Sequence, residues 1–345
     1  MTTAPSSAAP APVSPQRILE MSWSFAATRV LTTALELEIF RHVAQGKGTP
    51  DAIAKAAGTN PRATRILCDA LVGLGLLARD TAEGPLRNPP DVDLFLVPGK
   101  PSYVGEFVVF HSKVIDEHWR GLTEIVRTGR PHVAVDRPEE GQALWHQLVD
   151  ALFPVGFAAA KVVGQELARR HPGRAVRLLD VAAGSGVWGL GAATANPSIR
   201  VTALDLPGTL EHTRRFVERT GLASRVDYLA GDLRDLDFGE RRFEAATLGH
   251  ICHSEGEGGS KRLFEKLARA LVPGGTIVIA DFVPDANRRG PLVPLLFGVN
   301  MLVNTSEGDV FTFPQYAAWL SEAGFSDVGS LEAPAPSPLI VATRR

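Results

Sequence analysis

The chain is poor in cysteine and has no marked excess of charge of either sign. Two cysteines, Cys68 and Cys252, are too few for a disulfide framework or a thiolate metal cluster, which fits a reducing compartment. A formal net charge of −2 gives no electrostatic reason to expect nucleic acid or an anionic membrane as a partner. No apolar run approaches the length that spans a bilayer. We therefore expect a cytoplasmic protein with no nucleic-acid or membrane partner.

The first fifteen residues also lack the basic and apolar segments of a signal peptide. They are rich in alanine, proline and serine, which predicts a disordered tail over residues 1–15. The chain is long enough for two domains, and its content of 45% apolar and 21% charged residues is typical of a globular protein. Near residue 173 a mainly helical spacing gives way to alternating strands and helices.

Two short helices joined by a turn are predicted in the first part of the chain. Thr49 and Asn60 are good N-caps, each followed by a proline, and Gly58 ends the helix between them. With the apolar stretch that follows, the two helices resemble a winged helix-turn-helix. The second helix has two arginines but also Asp69, so its charges offer only weak electrostatic attraction for DNA. The sequence therefore favours a structural or dimerising role for this region.

Two longer helices are expected at about Tyr103–Thr128 and Gln142–Arg170, still in the helical part of the chain. After residue 173 strands alternate with helices, which predicts an α/β fold with a doubly wound, mostly parallel sheet. Two late strands with a proline-rich connection predict an antiparallel hairpin. The predicted strands are Val176–Val181, Arg200–Asp205, Arg225–Ala230, Phe243–Leu248, Thr276–Asp281, Ser326–Glu332 and Pro338–Thr343.

A glycine-rich turn follows the first of these strands and predicts a nucleotide-like ligand. Gly184-Ser-Gly186-Val-Trp-Gly189 matches the GxGxxG pattern of NAD-binding folds, and Asp205 lies about where a ribose-binding carboxylate is expected. Against NAD, the chain has no recognisable second mononucleotide half. The third strand also ends at Asp232, where the amino group of an adenine could be met. Both a dinucleotide and another adenosine ligand stay open on these residues.

The motifs together resemble one family, the S-adenosylmethionine (SAM)-dependent small-molecule O-methyltransferases of the plant-caffeate and bacterial-antibiotic type. The resemblance covers about Arg17 to Ala342. Its motifs here are LLDVAAGSGVWG, ALDLP (203–207), GDL (231–233), ICH (251–253), ALVPGG (270–275) and TFPQYAAWLSEAGF (312–325).

The resemblance implies a domain order and a cofactor site. It implies a winged-helix dimerisation domain over 16–101, a helical substrate-lining or linker region over 102–173, a Rossmann-like SAM-binding catalytic domain over 174–345, and a homodimer. Asp180, Gly184 and Gly186 would hold the methionine moiety of the cofactor. Asp205 would bind the ribose, and Leu206 would lie beside the adenine. Asp232 and Leu233 would flank the adenine.

The same resemblance implies a general base. His253 matches the family's catalytic histidine, and Asp281 lies at the offset of the acid that orients it. The family's second acid falls on Val310, and the neighbouring Glu307 or Asp309 could substitute for it. Ser254 and Glu255 also replace the Asp and Trp that follow the family's histidine, so a carbon methyltransferase or a non-methylating SAM-binding enzyme stays an alternative.

A metal site is the other interpretation of this cluster. His250, His253 and Asp281 could offer two imidazoles and a carboxylate, but a spacing of three residues on a loop is poor support, so no metal is expected.

Six residues are predicted to line the pocket for the acceptor. Two aromatic residues lie just before the ligand-binding domain, and four residues share one face of the apolar segment 291–304. Core packing explains the aromatic and methionine members equally well, whereas amides on an apolar helix need hydrogen-bond partners. The six are Phe153, Phe157, Phe297, Asn300, Met301 and Asn304.

We therefore expect a SAM-dependent methyltransferase that methylates a hydroxyl group of a flat aromatic or polyketide-like secondary metabolite. Two alternatives from other classes stay open: an NAD oxidoreductase, and a SAM-binding regulator whose winged helix contacts DNA.

Overall fold

A computed structural model describes residues 13–134 and 138–345, without the side chains of 138–144. Residues 1–12 of the predicted tail lie outside the described residues. Contacts divide the chain into two units, 1–112 and 113–345.

The first unit is helical and contains the predicted helix-turn-helix. Thr49 accepts a hydrogen bond from the Ala52 amide at 3.2 Å, and Asn60 accepts one from the Ala63 amide at 3.1 Å, so both predicted N-caps are confirmed. A β-bridge between Ala78 and Arg87 follows α5. The helices are α1 (Gln16–Ser22), α2 (Ser24–Glu36), α3 (Ile39–Ala44), α4 (Pro50–Ala57), α5 (Pro61–Gly73), α6 (Pro90–Phe95) and α7 (Gly105–Phe110).

The single helix predicted over Tyr103–Thr128 is wrong. The chain instead passes from α7 through a π-helical turn, His111–Ile115, into two short helices. Gly121 occupies the break between those two, in keeping with the low helix propensity of glycine. The helices of the second unit are α8 (Asp116–Trp119), α9 (Leu122–Thr128), α10 (Pro138–Arg170), α11 (Val187–Ala195), α12 (Pro207–Thr220), α13 (Cys252–Ala270), α14 (Leu292–Asn304) and α15 (Phe313–Glu322).

Helix α10 contains a stretch, Trp145–Arg170, that is long and apolar enough to cross a membrane by length and composition. The prediction that no segment approaches that length is wrong on these two criteria. A core helix of a globular domain meets the same criteria, and α10 buries Ala159, Ala160, Val163 and Leu167 in a cluster with residues of the sheet.

The second unit is built on a seven-stranded sheet of order β3-β2-β1-β4-β5-β7-β6. The first five strands pair in parallel, and β7 pairs antiparallel with both β5 and β6, so the predicted Rossmann-like sheet and its terminal hairpin are confirmed. The strands are β1 (Val176–Val181), β2 (Ile199–Asp205), β3 (Val226–Ala230), β4 (Phe243–Gly249), β5 (Leu271–Ala280), β6 (Phe325–Leu331) and β7 (Leu339–Arg344).

Apolar side chains cover both faces of this sheet, as parallel strands require. Leu178 of β1 belongs to the core that includes α10, α11 and α12, while its neighbour Leu179 belongs to the core that includes α13 and α15. The carboxyl ends of β1 to β5 lie along one edge, where ligands bind in open α/β sheets. Every predicted cofactor and catalytic residue lies near or after the carboxyl end of one of these strands.

Candidate active site

The glycine-rich turn after β1 is tied to the end of β2 through Asp205. The Gly184 amide donates to Asp205 Oδ2 at 2.8 Å, and the Leu206 amide donates to Oδ1 at 2.7 Å. Gly184 and Gly186 have φ angles of 58° and 77°, the left-handed conformation that glycine adopts without steric cost. Thr213 of α12 donates to the Gly184 carbonyl at 2.7 Å. The turn therefore presents a fixed backbone to a ligand.

Asp180, near the end of β1, links the segment after this turn to β4. Its Oδ2 accepts from the Gly189 amide at 2.8 Å and its Oδ1 from the Thr247 hydroxyl at 2.7 Å. Burial raises the pKa of this carboxyl to about 7, since the hydrogen bonds to its charged form offset the desolvation only in part. Its predicted contact with the methionine moiety stays a prediction.

The end of β3 places a second acid and an apolar side chain near Asp205. Asp232 accepts from the Arg234 amide at 2.8 Å, and the charge of Asp232 adds to burial in raising the pKa of Asp205. Leu233 packs, half-buried, against the core on the α13 side of the sheet. Acid acceptors and leucines after β2 and β3, next to a turn of bare backbone, fit the ribose, adenine and amino-acid parts of an adenosyl ligand.

His253 and Asp281 form a buried pair at the ends of β4 and β5. His253 Nδ1 lies 2.6 Å from Asp281 Oδ1, and the His253 amide donates to Oδ2 at 3.1 Å. The Phe282 amide donates to Oδ1 at 2.8 Å, and the Tyr316 hydroxyl donates to Oδ2 at 2.7 Å. Because a carboxylate only accepts, Nδ1 carries the proton and Nε2 is left with a lone pair.

The charge state of Asp281 follows from these contacts. Burial by itself raises the pKa of this carboxyl, but the attraction of His253 and the hydrogen bonds from His253 and Tyr316 outweigh it and lower the pKa. The pair is thus an ionised carboxylate that orients an imidazole, which is the arrangement of a general base.

The loop after α14 fixes the backbone of His253, but in the described part of the chain it places no carboxylate against the imidazole. The Asp309 amide donates to the His253 carbonyl at 3.0 Å, and the Asp309 carboxylate accepts from the Val310 amide at 2.7 Å. Asp309 and Glu307 are exposed, whereas Val310 is buried. Among the contacts of the described residues, neither carboxylate reaches the imidazole. Tyr316, which the sequence analysis missed, is the further side chain that hydrogen bonds to Asp281.

A row of aromatic rings lies beside His253, and it includes the predicted Phe297. The rings of Phe297 and His253 meet edge to face with centroids 4.8 Å apart, and Phe282 stacks on Phe297 at 3.7 Å. His250 follows at 5.2 Å from Phe282, and Trp188 of α11 lies 5.8 Å from His250. Among these rings, Phe297 is the one that the sequence predicts as a pocket residue.

The two amides of α14 belong to a hydrogen-bonded chain that begins in α8. The His118 ring nitrogen Nδ1 lies 2.5 Å from Asn304 Oδ1 and therefore donates to it. Asn304 Nδ2 donates to Asn300 Oδ1 at 3.0 Å, and Trp119 Nε1 donates to the same oxygen at 3.1 Å. Asn304 is thus engaged within the protein, which orients Asn300. Met301, between them, is buried.

Phe153 and Phe157 pack against the core. Phe153 stacks on Phe216 of α12 at 4.2 Å and on Phe157 at 5.1 Å, and both border the cluster around α11. Core packing accounts for these contacts, and a substrate role for either ring stays a prediction.

The amino-acid sequence of the chain is similar to those of known methyltransferases. Residues 158–326 match the family model of the O-methyltransferase domain, and residues 19–89 match that of the O-methyltransferase dimerisation domain. The tetracenomycin polyketide synthesis 8-O-methyl transferase TcmO of Streptomyces glaucescens is 31% identical, over 95% of this chain and 96% of its own length. The chain belongs to the SAM-dependent O-methyltransferase family.

Other members of this family are similar over nearly the whole chain. The 3-hydroxy-5-methyl-1-naphthoate 3-O-methyltransferase of Streptomyces sahachiroi is 28% identical over 93% of this chain and 92% of its own length. The structure of an O-methyltransferase from Nostoc punctiforme has a TM-score of 0.85 at 27% identity, covering 97% of this chain and all of that one. Human N-acetylserotonin methyltransferase in complex with SAM has the same fold, with a TM-score of 0.83 at 22% identity over 98% of this chain and 99% of its own.

Membership of this family confirms three predictions from the sequence: the fold, the methyltransferase class and SAM as the cofactor. The dinucleotide alternative is dropped for that reason.

Proposed function

We propose that this enzyme methylates a hydroxyl group of a flat aromatic or polyketide-like small molecule, with His253 as the general base and Asp281 as the residue that orients it. The observation that carries the proposal is the buried His253–Asp281 pair, with protonated Nδ1 on the carboxylate and the lone pair of Nε2 left for an acceptor. The edge contact of the His253 ring with Phe297 supports an aromatic acceptor.

The proposed chemistry is a proton removal coupled to methyl transfer. A phenol with a pKa near 10 is about three units from ionising at neutral pH, so a positioned base increases the nucleophilic fraction. SAM, when bound, supplies the methyl group to the acceptor oxygen and leaves as S-adenosylhomocysteine. His253 Nε2 takes the hydroxyl proton, and Asp281 stabilises the imidazolium that results.

The cofactor is assigned to the edge formed by β1, β2 and β3. We propose that Gly184 and Gly186 hold its amino-acid end against bare backbone, with Asp180 beneath the turn. Asp205 would accept from the ribose while keeping its two backbone donors, because a carboxylate offers about four lone-pair positions. Leu206, Asp232 and Leu233 would surround the adenine.

A homodimer and a cytoplasmic location complete the proposal. The match of residues 19–89 to the dimerisation domain supports self-association. Cys68 and Cys252 are both free and buried, which fits a reducing compartment. Light scattering at micromolar concentration is expected to give twice the mass of the chain.

The test separates cofactor binding from turnover. Isothermal titration should detect S-adenosylhomocysteine and no binding of NADH. Incubation with SAM and a panel of hydroxylated naphthalenes and anthraquinones should then give products heavier by one methyl group, whose position as O-methyl is read by NMR. Products methylated on carbon would contradict the role of the base, and cofactor binding without any methylated product would contradict the acceptor class.

A further inference from the structure

His250 lies in the site with a ring nitrogen that no group among the described residues satisfies. Its Nδ1 is buried and has no hydrogen-bond partner among the described residues. Buried polar atoms of side chains are hydrogen-bonded in the large majority of cases, because an unpaired one costs about 1–3 kcal/mol. An exception inside a binding site calls for a partner that arrives with a ligand.

The backbone of His250 is held in an unusual conformation to place this ring. Its φ angle is 59°, in the left-handed region that residues other than glycine, asparagine and aspartate seldom adopt. Its amide donates to the Ala280 carbonyl at 2.8 Å, which fixes the residue against the end of β5. A Cβ atom on the preceding Gly249 would overlap the indole of Trp188, so the chain here has little freedom to relax.

The ring also lies beside the base. One nitrogen of His250, one nitrogen of His253 and one carboxylate oxygen of Asp281 lie within 4.8 Å of one another. The His250 and His253 ring centroids are 6.0 Å apart. Burial lowers the pKa of His250 to about 4, so the ring is neutral at physiological pH and has one donor and one acceptor nitrogen.

We propose that His250 binds a second oxygen of the acceptor, on the carbon adjacent or peri to the hydroxyl that His253 deprotonates. The inference rests on the proposed function and deepens it. The acceptor class is thus an aromatic ring with paired oxygens, such as a catechol or a peri-hydroxylated polycyclic phenol. Two imidazoles side by side match two neighbouring oxygens: His253 takes the proton of one oxygen, and the neutral His250 ring accepts a hydrogen bond from the other or donates one to it. His250 is a specificity-determining residue in this arrangement.

The test compares phenols that differ by one oxygen. Titrations with S-adenosylhomocysteine present would use 1,8-dihydroxynaphthalene against 1-naphthol, and 2,3-dihydroxynaphthalene against 2-naphthol. The wild-type enzyme should bind one of the two diols about tenfold more tightly than its mono-ol, the effect of one added hydrogen bond to a buried group.

Two variants separate the hydrogen bond from the backbone strain. Glycine and asparagine both tolerate a left-handed φ, but asparagine alone keeps a hydrogen-bonding side chain. In His250→Gly the diol and its mono-ol should bind about equally well. In His250→Asn much of the tighter binding of the diol should return. Added imidazole should also restore part of it in His250→Gly. His171→Asn, at a buried histidine bonded to Thr276, is the control that should leave the preference unchanged.

Each outcome has one meaning. Equal binding of diol and mono-ol by the wild type, or a preference that survives in His250→Gly, would overturn the inference. So would a stoichiometric transition metal that is retained by the wild type and lost in His250→Gly, because His250 would then be a metal ligand. S-adenosylhomocysteine binding without binding of any naphthol overturns the acceptor class alone, whereas loss of both overturns the proposed function.

Discussion

The two halves of the site are built in different ways. On the donor side, most contacts that shape the site join residues close in sequence: Asp180 accepts from Gly189 nine residues on, and Gly184 donates to Asp205 twenty-one residues on. The bond from Thr247 of β4 to Asp180 is the longer exception. On the acceptor side, His118 bonds to a residue 186 positions away and Trp119 to one 181 positions away. The donor side is built on the adjoining strands β1, β2 and β3, and the acceptor side is assembled from α8, α13, α14 and α15.

Because of this difference, the two halves of the site differ in how well they tolerate substitutions. The donor turn is made of backbone amides and two acids whose oxygens already accept hydrogen bonds, so a substitution there disturbs the unit that folds around it. The acceptor side is a set of side chains supplied by separate helices. A fixed donor site with a variable acceptor site is how one fold accommodates many substrates.

The largest expected effect is on the acceptor side, at the base. His253→Ala should lower kcat by about 10³-fold, within the range for loss of a general base, because the acceptor hydroxyl keeps its proton. The affinity for S-adenosylhomocysteine should stay within twofold of the wild type. Steady-state kinetics on the best phenol of the panel and calorimetry provide the two values.

The matched control for that variant is another buried histidine. His171→Ala removes a hydrogen bond to Thr276 of β5 and should leave kcat within a few-fold of the wild type. Comparable losses in both variants would show that His253 acts through stability and not as the base.

The second effect is on the donor side and appears in stability. The pKa of Asp180 is raised from 3.8 to about 7, so between those values the folded state binds a proton that the unfolded state has lost. The contribution of Asp180 to stability is fully present below about pH 4 and declines as the pH rises to about 7. The free energy of unfolding of the wild type should therefore fall by about 2–3 kcal/mol between pH 5 and pH 7.

Asp180→Asn should remove this dependence. Its carbonyl can accept from the Gly189 amide while its amide donates to the Thr247 hydroxyl, so both contacts persist without a charge. Thermal unfolding at pH 5 and pH 7 of both proteins is the measurement. A variant that loses as much stability as the wild type over this interval would assign the dependence to another group.

The same difference between the halves explains how far the sequence could predict them. The turn, its strand and Asp205 are close together in the chain, and left-handed glycines leave a recognisable pattern, so the residues alone predicted a nucleotide-like ligand at this turn. The other cofactor residues followed from the family resemblance, and their contacts with the cofactor stay predictions. His253 and Asp281 were predicted through the family resemblance, and the fold brings them together because they follow the neighbouring parallel strands β4 and β5. The hydrogen bonds that hold Asn300 and Asn304 were missed, because no local pattern places α8 beside α14.

Two further features show the limit of sequence periodicity. The apolar spacing over Tyr103–Thr128 predicts one continuous helix. It does not reveal the break at Gly121 or the π-helical turn before it, because one wider turn changes the spacing of apolar residues too little to be recognised. His250 was considered only as a metal ligand, since its left-handed backbone and unpaired nitrogen depend on the packing of Trp188 and β5. Tyr316 was quoted within a motif, but its contact with Asp281 crosses 35 residues of chain.

The smallest effect tests that contact. Burial and the charge of Asp281 raise the pKa of Tyr316 well above its usual value, so the phenol keeps its proton and donates it to the carboxylate. Tyr316→Phe removes one of the donors that position Asp281, so the carboxylate orients the imidazole less firmly. The value of kcat should therefore fall by about threefold, equivalent to about 0.7 kcal/mol, with the affinity for S-adenosylhomocysteine unchanged. Trp319→Phe, on the same helix with its ring 5.7 Å from Tyr316, changes the packing but keeps the hydroxyl and should leave kcat unchanged. An equal fall in kcat in both variants would mean that the hydroxyl supports only the packing of α15.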